Sequence, residues 1–309
     1  MNKKENKTEQ PLVAIVCLVY NQDAFLRDCF EGFVMQQTDF SFVAIVHDDA
    51  STDNSAEIIH EYEAKYPHIF KPIYQTENQY SKPRVSVMRI AMAIARETGV
   101  KYIAMCEGDD YWTDPLKLQR QVDFLETHPK YTLSTENAIR HYLGSQKKEL
   151  FSELPTKDVC IEDLIQTRQF ATASVLFRAD ALSIPKGIKT YDTMIWCLLS
   201  QQGKIHYNNI VSSIYRVGEG VTKKDKIKWA YQIAELNQSL FSVIKIDKKI
   251  KNIHDKELLA MILSGIRKAF EEKKYSDVYK LFIHTLHIGF VPWMLLIKQI
   301  IHYKVFKLK

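Results

Sequence analysis

Cys106-Glu107-Gly108-Asp109-Asp110-Tyr111-Trp112 crowds three carboxylates into four positions, straight after the apolar run Tyr102-Ile103-Ala104-Met105. Carboxylates that close repel one another unless a proton or a cation offsets their charge. Acids at the carboxyl end of a buried strand therefore point to a divalent metal site, with the oxygen ligands that magnesium and manganese take. A solvated acidic turn is the alternative for such a cluster. The apolar strand before it and Tyr111-Trp112 after it argue against a freely solvated loop.

Upstream of this loop, short apolar β-branched runs alternate with longer amphipathic stretches, the signature of βαβ units and a mainly parallel sheet. Lys101 to Cys106 is the strand that carries the loop, and Arg84 to Glu97 before it is helical. Gly99 closes that helix, because glycine reaches the left-handed cap cheaply. Further upstream, Ile69 to Gln75, Phe42 to His47 and Val13 to Val19 read as strands, with helices over Thr52 to Tyr66 and Asp23 to Gln36 between them. Downstream, Thr113-Asp114-Pro115 places an N-cap acid before a proline at the first helical position, and Leu118, Val122 and Leu125 follow at i, i+4 and i+7. That helix ends before Pro129. From Tyr131 to Arg178 the pattern is mixed, with Phe170 to Phe177 its most strand-like run. Asp192 to Gln202 reads as a helix stopped by Gly203, and Ile210 to Val217 as a final strand.

Beyond Lys223 strand signals vanish and helical spacing takes over, as in Leu258, Ile262 and Ile266, which places a boundary near Thr222. The expected organisation is a polar, disordered lead-in over residues 1–10, an α/β domain over 11–222 and a helical extension over 223–309. The 309 residues are 46% hydrophobic, enough to bury a core, and a formal charge of +5 (42 Lys and Arg against 37 Asp and Glu) is far from the footprint of a nucleic-acid binder. Five scattered cysteines, with no C-x-x-C or Cys/His spacing, match reduced thiols rather than a zinc site. No G-x-G-x-x-G after a strand, G-x-x-x-x-G-K-[ST], H-E-x-x-H or G-x-S-x-G occurs, so dinucleotide, P-loop, zincin and hydrolase-elbow chemistries lack support.

Two further constellations accompany the acidic loop. His47-Asp48-Asp49-Ala50-Ser51-Thr52-Asp53 again follows a strand and opens a helix, where acids can accept hydrogen bonds from a base or ribose. Thr52 or Asp53 could simply cap that helix, but capping leaves Asp48 and Asp49 unexplained. Asp192, at the mouth of its helix, is either a cap or a base, and a base must reach the proton it removes.

Val13 to Asn21, Asp48 to Asp53 and Glu107 to Trp112, in that order, resemble the motifs of family-two glycosyltransferases with the GT-A fold, over roughly residues 11 to 222. The resemblance implies a nucleotide-binding sheet flanked by helices and an inverting transfer of a sugar from a nucleoside-diphosphate donor, usually uridine-linked, to an acceptor hydroxyl. It implies that Tyr20, Asn21, Asp48 and Asp49 hold the nucleotide, and that Asp109 with Asp110 and Glu107 holds Mn2+ or Mg2+ and the diphosphate. Glu107 stands where the family's D-x-D motif usually begins with aspartate. Asp192 would be the acid that deprotonates the acceptor, and Arg216 would pair with phosphate. One departure counts against metal binding: Tyr215-Arg216-Val217-Gly218 has glycine where relatives carry the histidine of Tyr-Arg-x-His, and Glu219 and His206 are the groups that could replace it. The alternatives are a catalytically inactive module that binds a nucleotide sugar or glycan, and a metal-dependent nucleotidyltransferase.

Residues 281–297 carry no Asp, Glu, Lys or Arg, and Lys298, Lys304, Lys307 and Lys309 follow. The run is shorter than the ~20 apolar residues of a spanning helix and is interrupted by Gly289 and Pro292. A basic, aromatic-bearing segment of this kind suits the surface of an anionic leaflet, or packing on the catalytic domain or on a partner subunit such as a second copy. The expected setting is cytoplasmic, peripheral on the inner face of the plasma membrane, with a glycan or lipid-linked acceptor.

Overall fold

The structure, a computed structural model, describes residues 10–82, 86–166, 169–185, 191–218 and 225–285. The expectations for residues 1–9, for Glu219 and for the basic tail lie outside the described residues. The chain divides into two compact units between Val217 and Gly218.

In the first unit, β1 (Val13–Val19), α1 (Asp23–Val34), β2 (Phe42–Asp48), α2 (Ser55–Lys65), β3 (Phe70–Tyr74), α3 (Val87–Glu97) and β4 (Tyr102–Met105) follow in alternation. After β4 come β5 (Tyr111–Trp112), α4 (Lys117–Thr127), β6 (Tyr131–Tyr142), β7 (Lys148–Leu150), β8 (Lys157–Val159) and α5 (Ile161–Gln166). A 3-10 turn (Thr172–Ser174), β9 (Val175–Arg178), α6 (Asp192–Ser200) and β10 (Lys204–Val217) complete the unit.

The strands form one sheet in the order β3-β2-β1-β4-β9-β6-β10-β5, with β7 on β6 and β8 on β10. β1 pairs in parallel with β2 on one side and β4 on the other, so chain direction across the sheet reverses at β1 and β4. In open α/β sheets ligands bind outside the carboxyl ends of the strands at such a point. β1, β2 and β4 are buried on both faces, which is why they read as unbroken apolar runs. On one face Val13, Ile15, Cys17, Ala44 and Val46 meet α1, α2 and α4 through Leu26, Phe30, Phe33, Ile59, Leu118 and Val122. On the other face α3 packs against β1 and β2. Each fully buried Phe or Leu there contributes about 1.5–3 kcal/mol.

The structure corrects several expectations. α4 starts at Lys117, with Leu116 at its N-cap; Asp114 and Pro115 form the turn leading in, and the Asp114 Oδ1 accepts from the Leu116 N–H at 2.8 Å. The run 170–177 is strand only from Val175, because Thr172–Ser174 curls into a 3-10 turn. The stretch after Tyr131 is a twelve-residue strand, and the last strand begins at Lys204 rather than Ile210. β10 runs parallel to β6 with register shifts near Asn208 and Val211. His206 lies at the amino end of β10, stacked on Phe124 with ring centroids 4.1 Å apart. Gly218 follows the other end of that strand, more than about 30 Å away at strand rise, so His206 cannot replace a side chain there.

In the second unit, α7 (Lys226–Val243), α8 (Lys248–Glu271) and α9 (Tyr275–Thr285) share a core of Ile227, Ala230, Ile233, Leu258, Ile262, Ile266 and Leu281. Asp225 and Asp247 cap α7 and α8 by accepting from the N–H groups of Ile227 and Lys228, and of Lys249. Gly265 permits the close approach of α7 and α8, since a Cβ there would lie 2.3 Å from the Ala230 Cβ. α9 leaves Tyr275, Tyr279 and Ile283 exposed at i, i+4 and i+8. No described helix is long and apolar enough to cross a membrane.

Candidate active site

The acidic loop emerges from β4 with its backbone tied to β1: the N–H groups of Cys106 and Gly108 donate to the carbonyls of Val16 and Leu18 at 3.2 and 3.1 Å. Gly108 lies against α1, where a Cβ would come 2.5 Å from the Gln22 Oε1 and 2.8 Å from the Leu26 Cδ2. Only glycine lets the loop sit this low. The Asp110 N–H then returns to the Glu107 carbonyl at 3.0 Å, a turn that gathers the side chains of Glu107, Asp109 and Asp110. One carboxylate oxygen from each lies within 4.8 Å of the others, with Asp110 buried and Glu107 and Asp109 half-buried.

Below the loop, Trp112 anchors it. Its Nε1 donates to the Ala173 carbonyl at 2.6 Å, and the Lys117 ammonium sits 4.5 Å from its ring centroid. Lys117 is fully buried; its Nζ donates to the Gln121 Oε1 at 2.7 Å, and burial lowers its pKa to about 8. Burial raises the Cys106 thiol to about 11, so it carries no thiolate near neutrality.

Arg216, near the end of β10, reaches the same loop. Its backbone N–H donates to the Asp110 Oδ1 at 2.8 Å and its Nη1 to the Asp109 carbonyl at 2.9 Å. Its Nη2 pairs with the Asp28 carboxylate of α1.

Across the sheet, the ends of β1 and β2 interlock. The Asn21 N–H donates to the Ser51 Oγ at 3.0 Å, and the Asn21 Oδ1 accepts from the Thr52 N–H at 2.7 Å. The buried Asp48 accepts from both the N–H and hydroxyl of Ser51. Asp49, also buried, accepts from the Gln79 and Tyr80 N–H groups at 2.7 and 2.9 Å, fastening the loop after β3. Tyr20 is 48% exposed and stands beside this corner. Asn21 and Ala50 hold φ values of +51° and +60°, a left-handed conformation that costs an alanine about 1 kcal/mol and recurs at ligand sites. Of the two capping candidates, Asp53 does act at the helix mouth, accepting from the Ser55 N–H at 2.9 Å. Thr52 instead turns to Asn21. Burial raises the Asp53 pKa, but hydrogen bonds from Ser55 and Asp23 outweigh it and lower the net value.

Asp192 occupies the first position of α6, whose N-cap is Tyr191, and its Oδ2 accepts from the Thr172 hydroxyl. Thr172 opens the 3-10 turn that enters β9, the antiparallel neighbour of β4. Trp112 and Asp192 are thus fastened to adjacent residues, Ala173 and Thr172, of one turn beside the carboxyl end of β4. Thr172 and Asp28 carry no sequence signal for this role, and the partners of Ser51 and Trp112 are not readable from the motifs that contain them. Their partners lie 3 to 188 positions away.

Residues 14–179 match the family described as Glycosyl transferase family 2. The chain belongs to that family. The matched segment contains Asp48, Asp49 and the whole acidic loop but stops before Asp192 and Arg216. An uncharacterized protein of Mycobacterium tuberculosis is 33% identical over 66% of this chain, a match spanning 58% of that protein's length. A poly(ribitol-phosphate) beta-glucosyltransferase of Bacillus spizizenii is 25% identical over 60% of this chain and 29% of its own. Among solved structures, S. aureus TarS 1-349 in complex with UDP-GlcNAc superposes with a TM-score of 0.62 at 13% identity, covering 87% of this chain and 79% of that one. A mannosyltransferase from Pyrobaculum calidifontis, in complex with GDP-Man and Mn2+, gives 0.55 at 14% identity over 96% of this chain and 81% of its own. These likenesses establish the GT-A type sheet with its helical C-terminal part.

Proposed function

We propose that this chain is a metal-dependent, inverting glycosyltransferase, moving a sugar from a uridine-diphosphate donor to an acceptor hydroxyl in the building of a surface polysaccharide. The observation that carries the reading is the convergence of Glu107, Asp109 and Asp110 outside the sheet's reversal point. Three hard oxygen donors within 4.8 Å fit Mg2+ or Mn2+, which prefer oxygen, better than zinc or copper, which prefer nitrogen and sulfur. A bound divalent cation there would neutralise charge on the departing diphosphate. The UDP-GlcNAc and Mn2+ bound in the TarS and mannosyltransferase structures support the same reading, and the ribitol-phosphate glucosyltransferase supports a cell-surface acceptor.

The roles of the chain's own residues follow. Tyr20, Asn21, Asp48 and Asp49 form the nucleotide corner, where buried carboxylates accept from the base or ribose. Asp109, with Glu107 and Asp110, would hold the cation that meets the diphosphate, and Arg216 braces the loop through the Asp109 carbonyl. Asp192 takes the proton of the acceptor hydroxyl as that oxygen bonds to the anomeric carbon and the bond to the diphosphate breaks, with inversion.

The test is incubation with a panel of nucleotide sugars and Mn2+, reading the phosphate product. Released UDP supports the proposal, released pyrophosphate would indicate a nucleotidyltransferase, and binding with no release would indicate an inactive module. Asp109→Asn should weaken Mn2+-dependent UDP binding by about 100-fold, since loss of even a supporting residue costs 10- to 100-fold. Calorimetry with UDP at fixed Mn2+ measures this.

We place the working enzyme on an anionic membrane surface. Tyr275, Tyr279 and Ile283 stand exposed along α9, and the sequence beyond supplies Lys298, Lys304, Lys307 and Lys309. Each lysine near such a surface contributes about 1 kcal/mol. The full chain should sediment with phosphatidylglycerol vesicles at low salt, not with phosphatidylcholine ones. Equal sedimentation with neither removes the membrane reading.

A further inference from the structure

Asp28 reads as an ordinary solvent-facing acid of α1, and its side chain is 61% exposed. Its partner is not ordinary. The Arg216 side chain is only 7% exposed, its guanidinium lying 5.0 Å from the Phe25 ring centroid and 4.4 Å from that of Tyr111. A guanidinium offers five donors in a fixed fork. Here the fork spans two elements, with Nη1 on the Asp109 carbonyl and Nη2 on Asp28. The arginine therefore touches the backbone of the acidic loop while its charge is matched by a carboxylate outside that loop.

We infer that Asp28 is a positioning residue: it holds Arg216 between Phe25 and Tyr111, keeping the guanidinium on the Asp109 carbonyl and off the loop's carboxylates. The physical ground is competition. Glu107, Asp109 and Asp110 put further carboxylates on the same loop, and a guanidinium released from Asp28 pairs with a carboxylate in preference to a carbonyl. Such a pair occupies the oxygens that a cation requires. The cation–π contacts alone, about 0.5–2 kcal/mol, fix where the guanidinium lies but not which anion its free edge meets. The inference rests on the proposed role of the acidic loop as a cation and diphosphate site.

The test is a titration of the full chain with Mn2+ in the presence of UDP, following free Mn2+ by electron paramagnetic resonance. Asp28→Ala should lower Mn2+ affinity about 10- to 100-fold, the range for a residue that supports ligands from behind. Asp28→Glu should restore most of it, because the longer carboxylate still reaches the guanidinium. The melting temperature without Mn2+ or UDP should stay within about 2 °C of the parent. In steady state, the Mn2+ concentration for half-maximal rate should rise while kcat at saturating Mn2+ is kept.

Affinity within twofold of the parent for Asp28→Ala overturns the inference, provided Asp109→Asn lowers it in the same titration. If Asp109→Asn also leaves affinity unchanged, the cation site itself is misplaced and both readings fall. A large drop in melting temperature with no rescue by Asp28→Glu would make Asp28 merely structural, and that too overturns it.

Discussion

Asp192→Asn is expected to lower kcat by about 10²–10⁴-fold while leaving UDP binding within twofold, because a general base acts as the proton moves and not in the ground-state complex. The substitution is conservative in shape. The asparagine Oδ1 accepts the Thr172 hydroxyl as the Asp192 Oδ2 does, so α6 keeps its tie to the turn that enters β9. What is lost is the charge that receives a proton. Steady-state rates at saturating donor and acceptor, with UDP affinity by calorimetry, separate the two effects. Full turnover in the variant would refute the proposed base. A parallel loss of UDP affinity would show Asp192 to be part of the donor site instead.

Arg120→Met is expected to destabilise the first unit by about 3 kcal/mol, toward the lower end of the range for breaking a buried ion pair. Glu136 lies in β6 with its side chain 1% exposed, and the Arg120 guanidinium grips both of its oxygens, at 2.6 and 3.0 Å. The same guanidinium reaches the Asp114 Oδ2 at 2.7 Å, and these hydrogen bonds raise the Arg120 pKa further. Methionine fills much of the volume but strands a buried carboxylate. Urea unfolding at pH 7 measures the loss. The exposed pair Arg27 and Glu61, with side chains 55% and 51% exposed, is the control: Arg27→Met should leave the midpoint unchanged.

The Glu136 pair also explains where local pattern fails as a guide to the fold. β1, β2 and β4 are legible because strands buried on both faces are apolar throughout. β6 is just as buried from Thr132 to Ala138, yet it carries Ser134, Thr135, Glu136 and Asn137 in succession. Those groups are tolerated only because remote partners satisfy them: Ser174 for Thr135, Arg120 for Glu136, and Asn209 with the Ser152 carbonyl for Asn137. A one-dimensional period cannot announce a strand whose apolar alternation is replaced by hydrogen bonds. The early part of β10 is hidden in the same way, by Asn208, Asn209 and the register shifts beside them.

The sequence by itself determined the alternating α/β frame, the family motifs and the acid-rich turn after β4, because apolar runs, turn residues and clustered charge are properties of neighbours along the chain. The tertiary structure decided that Glu107, Asp109 and Asp110 converge, that Asp192 is fastened to Thr172, and that Arg216 is shared between the acidic loop and Asp28. The contact between Arg216 and Asp28 spans 188 positions. Partners that far apart meet only once the sheet has closed and its core has set the distance between β10 and α1, and no spacing along the chain encodes that distance.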